Sequence, residues 1–179
     1  MDGTNTLLLP HARIIADRIV ERLLPHCSRI AIAGSVRRQK PTCGDIEIIC
    51  VPRTVPEDGL FGPLGRVRDP EFATIVRSLG RISKGDPVAG KYIQLLSPME
   101  VQIDLFTAQP DNWGLILAIR TGSVEYSKFL ASTWCRLGFH SENGHLVREN
   151  THERVAVSEE PDLFSMLGLK YVHPANRNL

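Results

Sequence analysis

The chain is 179 residues long, 42% apolar and 23% charged, with a formal net charge of +1; these values describe a soluble globular protein of one ordinary domain or two small ones. They exclude a helical membrane span, because no apolar stretch approaches the length a bilayer requires, and Pro10 cuts off Leu7-Leu8-Leu9 before it could serve as a signal peptide. Cys27, Cys43, Cys50 and Cys135 form no C-x-x-C pair, so no zinc site or disulfide framework is expected, and the chain reads as reduced and intracellular (cytoplasmic or nucleoid-associated, not secreted).

Ile14, Ile15, Ile19, Val20, Leu23 and Leu24 recur at helical spacing, which predicts a helix over residues 11–24, opened by Pro10 and closed by Pro25. Residues 29–33 and 45–51 read as strands, separated by Gly34-Ser35, Arg37-Arg38 and Gly44. Residues 51–70, rich in proline and glycine, predict a loop. Asp69-Pro70 then starts a helix over residues 71–79, Gly80 stops it, and residues 81–86 form a basic glycine turn. Residues 91–96 and 100–106 predict a hairpin across Ser97-Pro98-Met99. Beyond Pro110 a helix is expected over residues 111–119, and Ser123 caps another that runs to Gly138. Short strands at 145–147 and 154–157 and a last helix opening at 158–162 complete the chain. Trp113 and Trp134 are expected to fill a core rather than to stack on bases.

Successive side chains of a strand point to opposite faces, so Asp45 and Glu47 project together while Ile46, Ile48 and Cys50 line the other side. Paired carboxylates repel unless a cation sits between them, and Mg2+ prefers such oxygen ligands. Asp104 is a third acid, on a strand that could lie beside the first two. Three such acids fit a site of two cations about 3.5–4 Å apart that hold the attacking and leaving oxygens of a phosphoryl transfer. Gly34-Ser35 offers backbone N–H groups and a hydroxyl to a triphosphate, and Arg38, with Arg37 as a second candidate, can grip a phosphate bidentately. Arg66, Arg68, Arg77, Arg81, Lys84 and Lys91 either track a phosphate backbone or form a solvated surface. Arg120 is either a phosphate or base contact or an exposed helix-end arginine.

Gly34-Ser35, nine residues, then Asp45-Ile46-Glu47 resembles the signature of the DNA polymerase beta-like nucleotidyltransferase superfamily. Residues 34–47 as a whole look like the palm motif of the family X DNA polymerases. The likeness continues at Ser83-Lys84-Gly85, residues 101–106, Thr121-Gly122-Ser123, Asp162-Leu163-Phe164 and residues 167–177. It implies an α+β fold, with a nucleotidyltransferase palm of mixed sheet and helices over residues 1–108 and a small α/β thumb over residues 109–179. It also implies a DNA-directed DNA polymerase that adds dNMP from a dNTP to a primer 3′-hydroxyl in short-gap repair. Such an enzyme would act as a monomer on gapped or primer-template DNA, with no membrane partner, and would use two Mg2+ ions, with Mn2+ as the alternative.

By the same resemblance Asp45 and Glu47 would bridge both metals, and Asp104 would hold the catalytic one and help deprotonate the 3′-hydroxyl. Gly34, Ser35, Arg38 and Gly44 would bind the β- and γ-phosphates, and Thr121, Gly122 and Ser123 would floor the sugar and base pocket. Lys84 and Gly85 would touch a DNA strand, and Lys128 would pack near the template base. The chain departs from the family at Glu47, where aspartate is usual and the extra methylene moves the carboxylate by about 1.5 Å. It departs again at Ile119 and Arg120, in place of an aromatic pair that screens the sugar, and at Ser127 and Ala131, in place of minor-groove-reading residues. No lyase or helix-hairpin-helix domain is expected ahead of Gly34, which leaves a minimal palm-plus-thumb form. Two other readings stay open: a template-independent or RNA- or small-molecule-directed nucleotidyltransferase, and a non-catalytic DNA-binding repair module.

Overall fold

Apolar alternation along the central strands sets the architecture, because it gives one sheet two faces with different tasks. The computed structural model describes residues 6–59 and 62–178. The strands are β1 (Leu7–Leu8), β2 (Cys27–Ile32), β3 (Thr42–Cys43), β4 (Ile46–Pro52), β5 (Thr54–Gly59), β6 (Gly62–Arg68), β7 (Arg81–Lys84), β8 (Tyr92–Leu96), β9 (Gln102–Thr107), β10 (Phe139–Glu142), β11 (His145–Arg148) and β12 (Arg154–Val155). The α-helices are α1 (Leu9–Leu23), α2 (Gly34–Arg37), α3 (Pro70–Leu79), α4 (Trp113–Thr121), α5 (Val124–Arg136) and α6 (Glu160–Met166).

The main sheet has the order β2-β4-β9-β8-β7, with β4 and β9 parallel and the other pairs antiparallel. On its back face Ile46, Ile48, Cys50, Ile93, Leu95, Ile103 and Leu105 pack against α1 and α3. The buried side of α1 is Ala12, Ala16, Ile19 and Leu23, whereas Ile14 and Leu24 are exposed. Ile15 and Val20 pack at the edge of the same core, so the predicted apolar face holds except at Ile14 and Leu24, and Ala12 and Ala16 complete it. Asp69 caps α3 by accepting a hydrogen bond from the Glu71 amide, as its sequence predicts.

A second core gathers α4, α5, α6 and the β10-β11-β12 sheet around Tyr126, Leu130, Trp134, Phe139, Leu163 and Phe164. Between the two lies a smaller cluster in which Ile49, Val51 and Phe106, from the front face of the main sheet, meet Trp113 and Leu117 of α4. Trp113 and Trp134 are both buried. Ser123 caps α5 through the Tyr126 amide.

Three local expectations are corrected. The predicted loop over residues 51–70 holds a two-stranded hairpin, β5-β6, with residues 60 and 61 outside the described part. Among the described residues the hairpin pairs with no other strand, so no sheet imposes apolar alternation on it, and its glycines and prolines hide it. The predicted turn at 81–86 contains the edge strand β7, and β10 stands in a stretch with no predicted strand.

Candidate active site

One row of residues across the front face of the sheet carries the acids. Asp104 is the register partner of Glu47 in parallel β4-β9 and of Gln94 in antiparallel β8-β9, and Gln94 faces Lys84 on the edge. The row ends at the turn into α2, where the Ala33 amide donates to the Glu47 carbonyl at 2.8 Å. Asp45 precedes β4 by one residue and shares a cleft with Glu47. The two acids predicted on β4 and the third on β9 thus come from neighbouring strands.

Gly34 has φ +58°, and a Cβ there would lie 2.0 Å from Glu47 Oε2. Only glycine fits both that backbone and that contact. Next to it, Ser35 Oγ is buried without a hydrogen-bond partner among the described residues. Burial, then the Asp45 charge, push the Glu47 carboxyl up to about 8, against Arg120 and Arg38. Asp45 is raised too, by burial first and then by Asp104.

Asp104 is 8% exposed and surrounded by neutral donors that the sequence reading passed over. Its Oδ1 accepts from Tyr92 Oη at 3.0 Å and from Gln94 Nε2 at 3.3 Å, while Gln102 Nε2 reaches Oδ2 at 3.1 Å. Tyr92 in turn stacks on Phe106 with ring centroids 5.0 Å apart. Burial and the bond to Asp104 push the Tyr92 hydroxyl up to about 12, which keeps it a donor. A signal for these donors was present, since Gln102 lies two residues from Asp104 on one strand face and Gln94 lies opposite it in the hairpin.

The two arginines after Gly34-Ser35 turn toward the C-terminal core. Arg37, a candidate phosphate ligand in the sequence, instead donates to both Glu160 oxygens at 2.7 Å and to Thr121 Oγ1 at 2.6 Å. Its charge is already compensated by a buried carboxylate. Arg38 donates to the Thr121 and Gly122 carbonyls at 2.6 and 3.0 Å and to Asn178 Oδ1 at 3.2 Å, yet it still lines the cleft. Thr121 is fully buried with its hydroxyl on Arg37.

The cleft has a volume of about 690 Å³, and its lining includes Arg38, Asp45, Glu47, Arg120, Ser123 and Lys128. Gly122 also lines it, and Gly44 is exposed beside Asp45. Lys84 and Gly85 lie on the sheet edge away from this cleft. A Cβ at Gly85 would meet the Tyr92 carbonyl at 2.0 Å, and the Lys84 ammonium lies 5.6 Å from the Tyr92 ring centroid. Among the predicted basic face, Arg66 and Arg68 spend their N–H groups on Thr54, Pro87, Gly90 and Thr107, and Lys91 donates to the Asn143 carbonyl.

The donor set suits a hard divalent cation in kind: carboxylates strained by burial and mutual repulsion, beside an unpartnered hydroxyl. Among the described residues, no set of His, Cys, Asp or Glu side chains is yet gathered tightly enough to form a metal cage.

Residues 116–178 match the DNA polymerase beta thumb family. The fold matches Leishmania infantum polymerase beta in a ternary primer-template complex, with TM-score 0.73, 18% identity, and 98% of this chain and 77% of that chain covered. The ternary gap complex of the same protein matches with TM-score 0.71 and 17% identity over 97% of this chain and 71% of that one. The chain has a polymerase beta-like fold. No curated protein matches it by sequence. In this polymerase beta-like chain the thumb match begins within α4 and runs through Thr121-Gly122-Ser123 and Glu160, so the residues that meet Arg37 and Arg38 lie inside the matched segment. Among the described residues, no helix is long and apolar enough to cross a membrane.

Proposed function

We propose that this chain is a DNA-directed DNA polymerase that adds dNMP from a dNTP to a primer 3′-hydroxyl in short-gap repair. The observation that carries this reading is the register pair Glu47–Asp104, of which Glu47 shares with Asp45 a cleft that the thumb segment also lines. Residues 1–108 would serve as the palm and residues 109–179 as the thumb, a division supported by the separate cores on either side of the cleft.

Asp45, Glu47 and Asp104 would hold two Mg2+ ions, or Mn2+ in their place. Bound there, the ions would polarise the transferring phosphoryl group and lower the pKa of the attacking hydroxyl. In the transfer the primer O3′–Pα bond forms, the bond from Pα to the bridging oxygen of pyrophosphate breaks, and the hydroxyl proton passes to the Asp104 carboxylate. Tyr92, Gln94 and Gln102 orient that carboxylate. Ser35 Oγ, Arg38 and the amides of Gly34 and Gly44 would bind the β- and γ-phosphates. Gly122 and Ser123, backed by Thr121, would floor the nucleotide pocket, while Lys128, Lys84 and Gly85 would contact DNA.

Primer extension with dNTPs or rNTPs on gapped, recessed and single-stranded DNA tests this reading. Template-directed incorporation dependent on Mg2+ or Mn2+ is expected on gapped and recessed DNA. Equal incorporation on single strands would instead indicate a template-independent transferase. DNA binding without extension under either metal would indicate a non-catalytic module.

A further inference from the structure

Arg120 is a cation of the cleft that faces the Glu47 carboxyl without a hydrogen bond or ion pair to protein among the described residues. Its guanidinium carbon lies 4.0 Å from the Phe106 ring centroid, and Phe106 stacks in turn on Tyr92. Tyr92, Phe106 and Arg120 therefore form a three-layer stack whose far end reaches Asp104 through the Tyr92 hydroxyl. Arg37 spends its donors on Glu160 and Thr121, and Arg38 spends its Nε and Nη1 on Asn178, Thr121 and Gly122, which leaves Nη2. Arg120, exposed in the last turn of α4, makes no hydrogen bond to protein among the described residues. It stands on the wall between the 690 Å³ cleft and a smaller cavity of about 310 Å³.

A guanidinium held over an aromatic ring keeps N–H groups available at its edge, and the contact limits its movement before a ligand arrives. That arrangement suits the paired oxygens of a phosphate. The Asp45 and Glu47 carboxylates in the same cleft would repel a bare anion, so the ligand must arrive with a divalent cation. A metal-bound triphosphate meets both demands, whereas a DNA backbone phosphate need not approach the acids.

We infer that Arg120 binds the triphosphate of the incoming nucleotide, taking phosphate oxygens in its stacked guanidinium fork beside Glu47 and Asp104. This inference rests on the nucleotidyl-transfer reading. Arg120 is then a binding residue that the protein leaves free for substrate, beside Arg38, while Arg37 braces the junction behind it.

Calorimetric titration of wild type, Arg120→Ala and Arg120→Lys with Mg·dNTP, inorganic Mg·triphosphate and primer-template DNA tests the assignment. Loss of a charge-assisted contact should weaken Mg·dNTP and Mg·triphosphate alike by about 10- to 100-fold in Arg120→Ala, with Arg120→Lys between it and wild type. DNA affinity should stay within about twofold, since only a partner of Arg120 should respond. Because Arg120 is exposed, the variants should keep a cooperative melt, and that melt is the control for folding. Unchanged nucleotide affinity in Arg120→Ala would overturn the inference alone. A loss confined to Mg·dNTP would overturn it in favour of a sugar or base contact, and a loss confined to DNA in favour of a backbone contact. A wild-type protein that binds neither nucleotide nor triphosphate and extends no primer would overturn the nucleotidyl-transfer reading as well.

Discussion

Glu47 sits where the backbone leaves least room, its carboxylate over Gly34 and its neighbours acidic on two sides. The raised pKa makes this carboxylate a cost to the metal-free fold. Below its ordinary value of 4.5 both folded and unfolded chains hold the proton, and Glu47 adds no pH dependence. Between 4.5 and about 8 the folded chain retains a proton that the unfolded chain has lost, so stability falls as pH rises. Above that range the full penalty remains. In EDTA at pH 9, Glu47→Gln should exceed the parent in stability by a few kcal/mol, on the scale of about 1.4 kcal/mol per pKa unit. The gain should vanish near pH 4 and shrink when Mg2+ is added, as followed by urea unfolding. Gly34→Ala should displace the Glu47 carboxylate, destabilise the fold by about 1–2 kcal/mol and abolish metal-dependent activity. At this scale the pair Asp45 and Glu47 was legible from the period of a strand. The burial of Glu47 against Gly34 was not, because it depends on how the turn closes over the sheet.

The junction between elements rests on Glu160, at the start of α6 and 3% exposed. Arg37 of α2 and the fully buried Arg177 of the C-terminal tail both pair with it, and Tyr171 adds a hydroxyl at 3.3 Å. Burial pushes the Glu160 carboxyl up, but the hydrogen bonds and charges of Arg37 and Arg177 outweigh it and leave the group below its ordinary value. Its linkage is therefore opposite to that of Glu47: the stabilisation is present above the unfolded pKa and is lost as pH falls through the folded one. Glu160→Gln strands two guanidinium groups and should cost about 3–5 kcal/mol in a denaturant titration near neutral pH. If Arg37 acts mainly through this carboxylate, Arg37→Ala should add much less in the Glu160→Gln background than alone. The helices α3 and α5 were legible because their caps and apolar periods are local. The β5-β6 hairpin was not, for lack of a core face, and in α1 the large apolar residues marked the buried side except at Ile14, while the contribution of Ala12 and Ala16 left no mark in that pattern.

The whole molecule places two cores around one cleft, with the acids on the sheet side and the thumb segment opposite. A row from Lys84 through Gln94 and Asp104 to Glu47 crosses four strands, and only the register of the folded sheet assembles it. The motif spacing made the acids and the fold class readable from the sequence. The uncommitted state of Arg120 and the commitment of Arg37 could not be read, because their partners lie on elements distant in the chain. At this scale the central claim is that three carboxylates, brought together by that register, perform nucleotidyl transfer. It is tested most directly by primer extension on gapped DNA with Mg2+, comparing wild type with Asp104→Ala. Asp104→Ala should lose extension by about a thousandfold or more while keeping its fold and most of its Mg·dNTP affinity. Ordinary extension by that variant, or none by the wild type with either Mg2+ or Mn2+, would contradict it.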